Sequence, residues 1–184
     1  SPFDQSVVST YPNCGIEEPR LAILTARDTF DSTRWPTSRA ADRGKILNKA
    51  SQLMLERVDD FARWISLEAG KPIRMARSEV VHSAHVLAYY GGAANDLKGE
   101  SITQQVPDAV GLVIHEPVGV VGIITPWNFP LSLVVRKVAA ALAAGCTIVA
   151  KPSHFTPAVT LMLARLLSEA GLPDALARRL AVGR

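Results

Sequence analysis

Asn128 lies in a loop between Pro126 and Pro130, directly after an apolar run. Its side-chain amide donates hydrogen bonds without a change of charge, and such a donor suits an oxyanion that forms on an attacked carbonyl group. In turns, however, asparagine most often bonds its own loop backbone. The residues alone favour this second use, so the oxyanion role needs separate support.

Lys151 ends a second apolar run, and Pro152 after it keeps the chain extended. A cation in this position suits a ribose hydroxyl or a nucleotide phosphate. A strand-end lysine that simply reaches solvent has the same pattern. Lys151 is therefore a candidate nucleotide ligand, with the solvated lysine as its alternative.

Two strands must carry these side chains. The apolar runs 118–124 and 146–150 predict two buried strands, the first of them buried on both faces. A helix is predicted between them over about 131–144, and Gly145 stands where that helix would end. Both candidate residues therefore follow predicted strands.

A further helix is predicted after the second strand. Thr156 is expected to cap it, with Pro157 at its first position and Gly171 just past its end. The order strand, helix, strand, helix is typical of the right-handed βαβ unit that begins a doubly wound parallel sheet. Ligands of such sheets bind beyond the carboxyl ends of the strands, where the loops 125–130 and 151–156 lie.

The chain before these strands has a helical pattern. A short helix is predicted over about 20–30. Apolar residues at steps of three and four predict a long helix, capped by Thr37 or Ser38, that runs to about Ala69 and ends at Gly70.

A third helix is predicted over about 74–97, and a strand over 112–114. Gly91 and Gly92 near the end of the helix either allow close packing or mark fraying. The predicted fold class is α/β, with N-terminal helices followed by the first βαβα part of a doubly wound, Rossmann-like parallel sheet.

Composition excludes several classes of function. The 184 residues include 20 basic and 17 acidic ones, interspersed, for a net charge of +3. Because the sharpest basic cluster is only Arg178 and Arg179, no nucleic-acid partner is expected. The weakly polar stretch 138–150 is too short to span a bilayer, so no membrane partner is expected. Two cysteines without a Cys/His cluster predict no metal site, and with a polar N-terminus they favour a cytoplasmic location.

Three segments resemble the aldehyde dehydrogenase family. They are EPVGVVGIITPWNFP at 116–130, AALAAGCTIVAKPS at 140–153 and EAGLP at 169–173. Weaker echoes occur upstream, as WP at 35–36, EAGKP at 68–72 and YYG at 89–91. A PWNFP followed at this spacing by KPS is far more specific than a lone GxGxxG.

The resemblance assigns roles to several positions. It implies that Asn128 is the oxyanion-hole amide and that Lys151 binds the adenine ribose. Ile124, Thr125 and Trp127 match positions that contact the nucleotide, largely through backbone, although Trp127 also suits ordinary packing. Ser153 belongs to the same KPS segment, and we expect it at the cofactor site.

His154 departs from the family pattern. Members that prefer NAD often have glutamate there, which binds both ribose hydroxyls and repels the 2′-phosphate of NADP. Because histidine lacks that negative charge, we expect NAD or NADP as the cofactor, with tolerance of NADP. A loop histidine without a ligand is nearly as well supported. Lys137 matches a family lysine near the reaction centre, and a solvated helix lysine fits it equally well.

The family oxidises an aldehyde to a carboxylic acid with NAD(P)+, using a cysteine nucleophile and a glutamate base. In the family both follow EAGLP, as does a glycine-rich phosphate-binding turn. We therefore expect residues 1–105 to be an N-terminal arm and the helical part of the cofactor domain, and residues 106–184 to be the truncated start of its parallel sheet, without a catalytic domain.

The segment 175–184 departs from the family, which suggests a frameshift, an early stop, deliberate shortening or a legitimate short end. We expect the chain alone to be inactive. A two-stranded unit leaves strand edges and one sheet face uncovered, so association through exposed edges or as a homo-oligomer is expected. The alternative function is a non-catalytic remnant that acts as an interaction or self-association module.

Overall fold

The computed structural model describes residues 1–103 and 107–177, in which helices precede and enclose a small parallel sheet. The helices are α1 Glu17–Ser32, α2 Ala40–Glu56, α3 Val58–Ala69, α4 Ile73–Ala93, α5 Ser132–Ala143, α6 Ala158–Ala170 and α7 Asp174–Ala177. The strands are β1 Glu100–Ile102, β2 Gly111–Val113, β3 Val120–Ile124 and β4 Thr147–Lys151. No helix in this part of the chain is long and apolar enough to cross a bilayer.

The predicted βαβα order is confirmed. Strands β3 and β4 pair in parallel, with α5 between them in the chain, and the register runs from Val120 opposite Thr147 to Ile124 opposite Lys151. The second strand is buried as predicted. This pairing brings the carboxyl ends of both strands to one edge of the sheet.

The prediction that β3 is buried on both faces is wrong. Ile123 points into the main core, but Ile124 is 77% exposed. The second face of the sheet packs against α1, through Val120 and Val149. Because α1 does not reach the carboxyl end of β3, that end is left uncovered.

A second, antiparallel pair lies before the parallel strands. The predicted strand at 112–114 occurs as β2, and it pairs with β1, which the sequence did not predict. Both strands have three residues and are largely exposed, and β1, with the sequence ESI, has no apolar pattern that would predict a strand. The domain boundary expected between residues 105 and 106, the Arg178–Arg179 cluster and the segment 178–184 lie outside the described residues.

The single long helix predicted to Ala69 is instead two helices. Arg57 leaves helical geometry between α2 and α3, with φ −117° and ψ 26°. Its guanidinium forms a bidentate ion pair with Glu169 of α6, at 2.6 and 2.7 Å. The break therefore coincides with a contact between distant parts of the chain.

Capping of α2 by Thr37 or Ser38 is also wrong. The helix begins after Arg39, which makes no side-chain cap. The Ser38 hydroxyl donates instead to the carbonyl oxygen of Trp35, at 2.6 Å. The Ser38 hydroxyl, which was predicted to cap α2, therefore stabilises the turn before the helix instead.

Gly91 serves close packing rather than fraying. A Cβ atom on Gly44 would lie 2.3 Å from the carbonyl oxygen of Gly91, so these two backbones touch where α2 crosses α4. The side chains of Leu47, Met54 and Leu87 are fully buried beside this crossing in the main core. The crossing fixes the position of α4, which in turn contacts α5.

Candidate functional site

The two candidate loops leave the sheet side by side. Ile124 is the last residue of β3 and lies opposite Lys151 in the register. The next amide, that of Thr125, donates to the Lys151 carbonyl oxygen at 3.2 Å. The loops 125–130 and 151–156 therefore begin at the same edge of the sheet, as the sequence predicts.

The first loop presents exposed side chains beyond a buried anchor. Thr125 is buried, whereas Trp127 and Asn128 are exposed. Ile124 before them lies on the uncovered face of the sheet. The side chains of Ile124 and Asn128 are thus both open to solvent at the carboxyl end of β3.

The second loop carries the remaining candidates. Lys151 is half-buried, and within residues 1–103 and 107–177 no carboxylate lies within 4 Å of its ammonium. The Ser153 hydroxyl accepts the Phe155 amide at 3.3 Å, which shapes the turn. The exposed His154 ring lies 4.0 Å from the ring of Phe155.

Glu68, rather than Thr156, caps the helix after this loop. Its carboxylate accepts the amide of Ala158 at 3.0 Å and the hydroxyl of Tyr11 at 3.3 Å. The hydroxyl of Thr156 has no hydrogen-bond partner among the residues that the structure describes, so the predicted cap is wrong. Burial raises the pKa of Glu68 to about 7, although both hydrogen bonds oppose this shift.

A second distant carboxylate caps the helix after the Asn128 loop. One oxygen of Glu79 accepts the amides of Leu131 and Ser132, at 3.0 and 3.1 Å. Its other oxygen pairs with the ammonium of Lys71. That ammonium also lies 3.9 Å from the centre of the Phe129 ring. A buried ion pair therefore holds both the loop and the start of α5.

A groove of about 410 Å³ opens beside Phe129, the neighbour of Asn128. Its walls come from α4 and from the start of α5. Arg136, which can only donate, gives a hydrogen bond to Nε2 of His82 at 3.1 Å. Because Glu79 neutralises Lys71, Arg136 gives the groove its net positive charge.

Two other candidates lie away from these groups. Lys137 is exposed on α5 and does not line the groove. Cys146 is buried at the start of β4, the end opposite Lys151, and its carbonyl oxygen accepts the Trp35 indole at 3.1 Å. Cys14 lies in the N-terminal segment before α1 and does not line the groove either.

The sequence profile of the aldehyde dehydrogenase family matches residues 1–182. This chain belongs to the aldehyde dehydrogenase family. The mouse mitochondrial succinate-semialdehyde dehydrogenase is 42% identical over 172 residues, which are 94% of this chain and 32% of that protein. The Bacillus subtilis betaine aldehyde dehydrogenase is 40% identical over 177 residues, 96% of this chain and 36% of that protein.

Solved aldehyde dehydrogenase structures share this architecture. Betaine aldehyde dehydrogenase from Staphylococcus aureus in complex with NAD+ gives a TM-score of 0.95 at 36% identity, over 100% of this chain and 36% of that one. An NADP-dependent enzyme from Escherichia coli gives a TM-score of 0.94 at 35% identity, over 100% of this chain and 37% of that one. The chain thus spans about a third of the length of its aldehyde dehydrogenase relatives.

Sequence patterns did not indicate Lys71, Glu79, His82 or Arg136 as site residues. One available signal was their spacing, because Glu79 and His82 are three residues apart and so share a face of α4. Nothing local indicated that this face meets the start of α5. The capping roles of Glu68 and Glu79 were not predicted either, because both carboxylates cap helices that lie far from them in the sequence.

Proposed function

We propose that this chain supplies the cofactor-binding and oxyanion-stabilising part of an NAD(P)-dependent aldehyde dehydrogenase. In this proposal residues 1–105 form the arm and the helical part of the cofactor domain, and residues 106–184 begin its parallel sheet. The observation that carries the proposal is the paired ends of β3 and β4, which put the Asn128 and Lys151 loops at one edge.

The residues at this edge fit a nicotinamide dinucleotide. Lys151, which lacks an acidic partner among the described residues, and Ser153 would hold hydroxyl groups of the adenine ribose. Ile124, Thr125 and Trp127 would border the nucleotide through backbone and apolar surface. When bound, NAD(P)+ supplies the hydride acceptor for aldehyde oxidation.

Asn128 has the properties that the oxyanion role requires. Its exposed amide keeps its donors at every working pH, and its loop is held at both ends by hydrogen bonds to other elements. A donor held in advance stabilises developing negative charge without reorganisation, which contributes about 3–4 kcal/mol in measured cases. In this role the amide would donate to the aldehyde oxygen as a nucleophile attacks the carbonyl carbon.

The isolated chain is expected to lack turnover. Cys146 is buried at the end of β4 opposite Lys151, and neither cysteine lines the groove beside Phe129. The nucleophilic thiol and the glutamate base would therefore come from elsewhere in the full-length enzyme. The test is an assay of the purified 184-residue chain with NAD+ and NADP+ and a panel of aldehydes; clear turnover would contradict this part of the proposal.

The groove beside Phe129 indicates the class of aldehyde. Arg136 has no carboxylate within 4 Å among the described residues, and its only described partner is the Nε2 atom of His82. A guanidinium with free donors binds a carboxylate in a bidentate manner. We infer a substrate with an aldehyde at one end and a carboxylate at the other, which the name of the mouse relative also supports.

The deciding experiment compares two aldehydes of equal length, succinate semialdehyde and butanal, on the full-length enzyme that carries this segment. We expect a higher kcat/KM for the semialdehyde. Arg136→Gln should reduce that preference by about 10- to 100-fold, the value of a hydrogen bond to a charged group. Arg63→Gln, which removes an exposed arginine outside the groove, should preserve it. Equal loss in both variants would overturn the assignment.

The same proposal places the enzyme in a reducing, cytoplasmic compartment, since both cysteines are free thiols. Association with a second chain would cover exposed apolar residues such as Val118 and Ile124. Such association also underlies the alternative function, a non-catalytic module. A full-length enzyme that binds neither NAD+ nor NADP+ yet dimerises would favour that alternative.

A further inference from the structure

We propose that Glu79 is a positioning residue for Asn128, an inference that rests on the proposed oxyanion role. The side chain of Glu79 is 1% exposed, and the side chain of its partner Lys71 is 11% exposed. A buried ion pair of this kind contributes little net stability, because removing both charges from water offsets their attraction. Its contacts indicate a different use.

The contacts of Glu79 converge on the loop that carries Asn128. Glu79 accepts hydrogen bonds from the amides of Leu131 and Ser132, at the start of α5. These two residues follow Asn128 by three and four positions. The amide of Leu133 in turn donates to the carbonyl oxygen of Phe129, at 3.1 Å. These bonds fix the backbone on the carboxyl side of Asn128, as the Thr125 bond to Lys151 fixes it on the other side.

The charge of Glu79 matters as well as its shape. Leu131, at the start of α5, makes no side-chain cap, so the first amides depend on a group from outside the helix. A carboxylate there also interacts favourably with the positive end of the helix dipole. Lys71 holds the carboxylate from behind and contacts Phe129 with the same ammonium. One buried pair thereby holds both the backbone and the aromatic ring next to Asn128.

A double-mutant cycle on the full-length enzyme tests this coupling. Glu79→Gln keeps the shape and removes the charge, and it should lower kcat by about tenfold or more while KM for the nucleotide stays unchanged. Asn128→Ala should lower kcat further, and adding Glu79→Gln to it should change nothing more. Asp59→Asn, which removes an exposed ion pair with Arg77 elsewhere on α4, should leave kcat unaltered. Independent, multiplicative losses from Glu79→Gln and Asn128→Ala would overturn the proposal.

A second readout does not depend on catalysis. In the 184-residue chain, the side-chain amide of Asn128 should give one set of NMR signals that broadens or splits in Glu79→Gln but not in Asp59→Asn. Unchanged Asn128 signals in Glu79→Gln would overturn the positioning role whether or not the enzyme oxidises aldehydes. An enzyme without aldehyde oxidation but with the expected NMR change would instead refute the proposed function alone.

Discussion

The main-chain amide of Thr125 donates a hydrogen bond to the main-chain carbonyl of Lys151 over 3.2 Å, one step beyond the last paired residues of β3 and β4. This bond continues the parallel ladder to the point where both candidate loops begin. A residue on one loop and a residue on the other are thereby held at the same edge of the sheet. The proposed functions of Asn128 and Lys151 both depend on it.

Asn128→Ala should impair chemistry without impairing folding. Loss of one oxyanion donor lowers kcat by about 100- to 1,000-fold. Because the side chain is exposed, the free energy of unfolding should change by less than about 0.5 kcal/mol. Steady-state kinetics of the full-length enzyme and denaturant unfolding measure the two effects. Asn13→Ala, at another exposed asparagine, serves as control; a matching kcat in the two variants would exclude the oxyanion role.

His154→Glu should shift the cofactor preference from NADP towards NAD. The introduced carboxylate would repel a 2′-phosphate and accept hydrogen bonds from ribose hydroxyls, which changes the ratio of the two affinities by about tenfold or more. Fluorescence titration of the full-length enzyme with NADH and NADPH measures this ratio. His85→Glu, on the exposed face of α4, should leave the ratio unchanged. A strong NAD preference in the unaltered enzyme would contradict the role given to His154.

Glu68→Gln should flatten the pH dependence of stability. The folded state raises the pKa of Glu68 from 4.5 to about 7 because burial disfavours the charged form, so the folded chain binds a proton that the unfolded chain has already lost. The stabilising contribution is therefore complete below 4.5 and is lost as the pH rises through about 7. Tyr11 and the N-terminal amine are the other titratable groups that act on this carboxylate.

Denaturant unfolding across this pH range tests the prediction. The stability of Glu68→Gln relative to the unaltered chain should increase as the pH rises, since glutamine cannot lose a proton. Glu56→Gln, at an exposed glutamate of α2, should give a curve parallel to that of the unaltered chain. Parallel curves for Glu68→Gln as well would show that this carboxylate is not desolvated.

Gly44→Ala and Gly92→Ala should have opposite effects on stability. A Cβ at Gly44 would lie 2.3 Å from the backbone oxygen of Gly91, which forces α2 and α4 apart at a cost of about 1–3 kcal/mol. A Cβ at Gly92 would meet no atom of the described residues within 4 Å, so alanine at this helical position should raise the free energy of unfolding by about 0.5–1 kcal/mol. Thermal unfolding of both variants measures the difference. Equal stabilisation would mean that the two helices do not approach so closely.

The sequence predicted the βαβα unit because its signals are local. Continuous apolar runs mark β3 and β4, and Gly145 and Gly171 adopt the left-handed conformations that end α5 and α6. The candidate residues in the two loops were found because each loop follows a predicted strand. Strands and helix ends of this kind depend on residues that are close in the sequence, so a sequence pattern can predict them.

The two helix starts beside the candidate loops could not be predicted in this way. Helix α5 is capped by Glu79, 52 and 53 positions earlier, and α6 by Glu68, 90 positions earlier. Local capping rules consider only the residues next to the helix start, so they selected Thr156, whose hydroxyl has no partner within residues 1–103 and 107–177. Likewise, the pairing of Arg136 with His82 depends on the packing of α4 against α5 rather than on either segment.

A crystal structure of the full-length enzyme with bound NAD(P)+ tests the central claim most directly. We predict the ammonium of Lys151 within about 3 Å of a ribose hydroxyl or phosphate oxygen, and the amide of Asn128 facing the same cleft near the nicotinamide. A nucleotide bound elsewhere, or these two groups opening onto different faces of the sheet, would contradict the account.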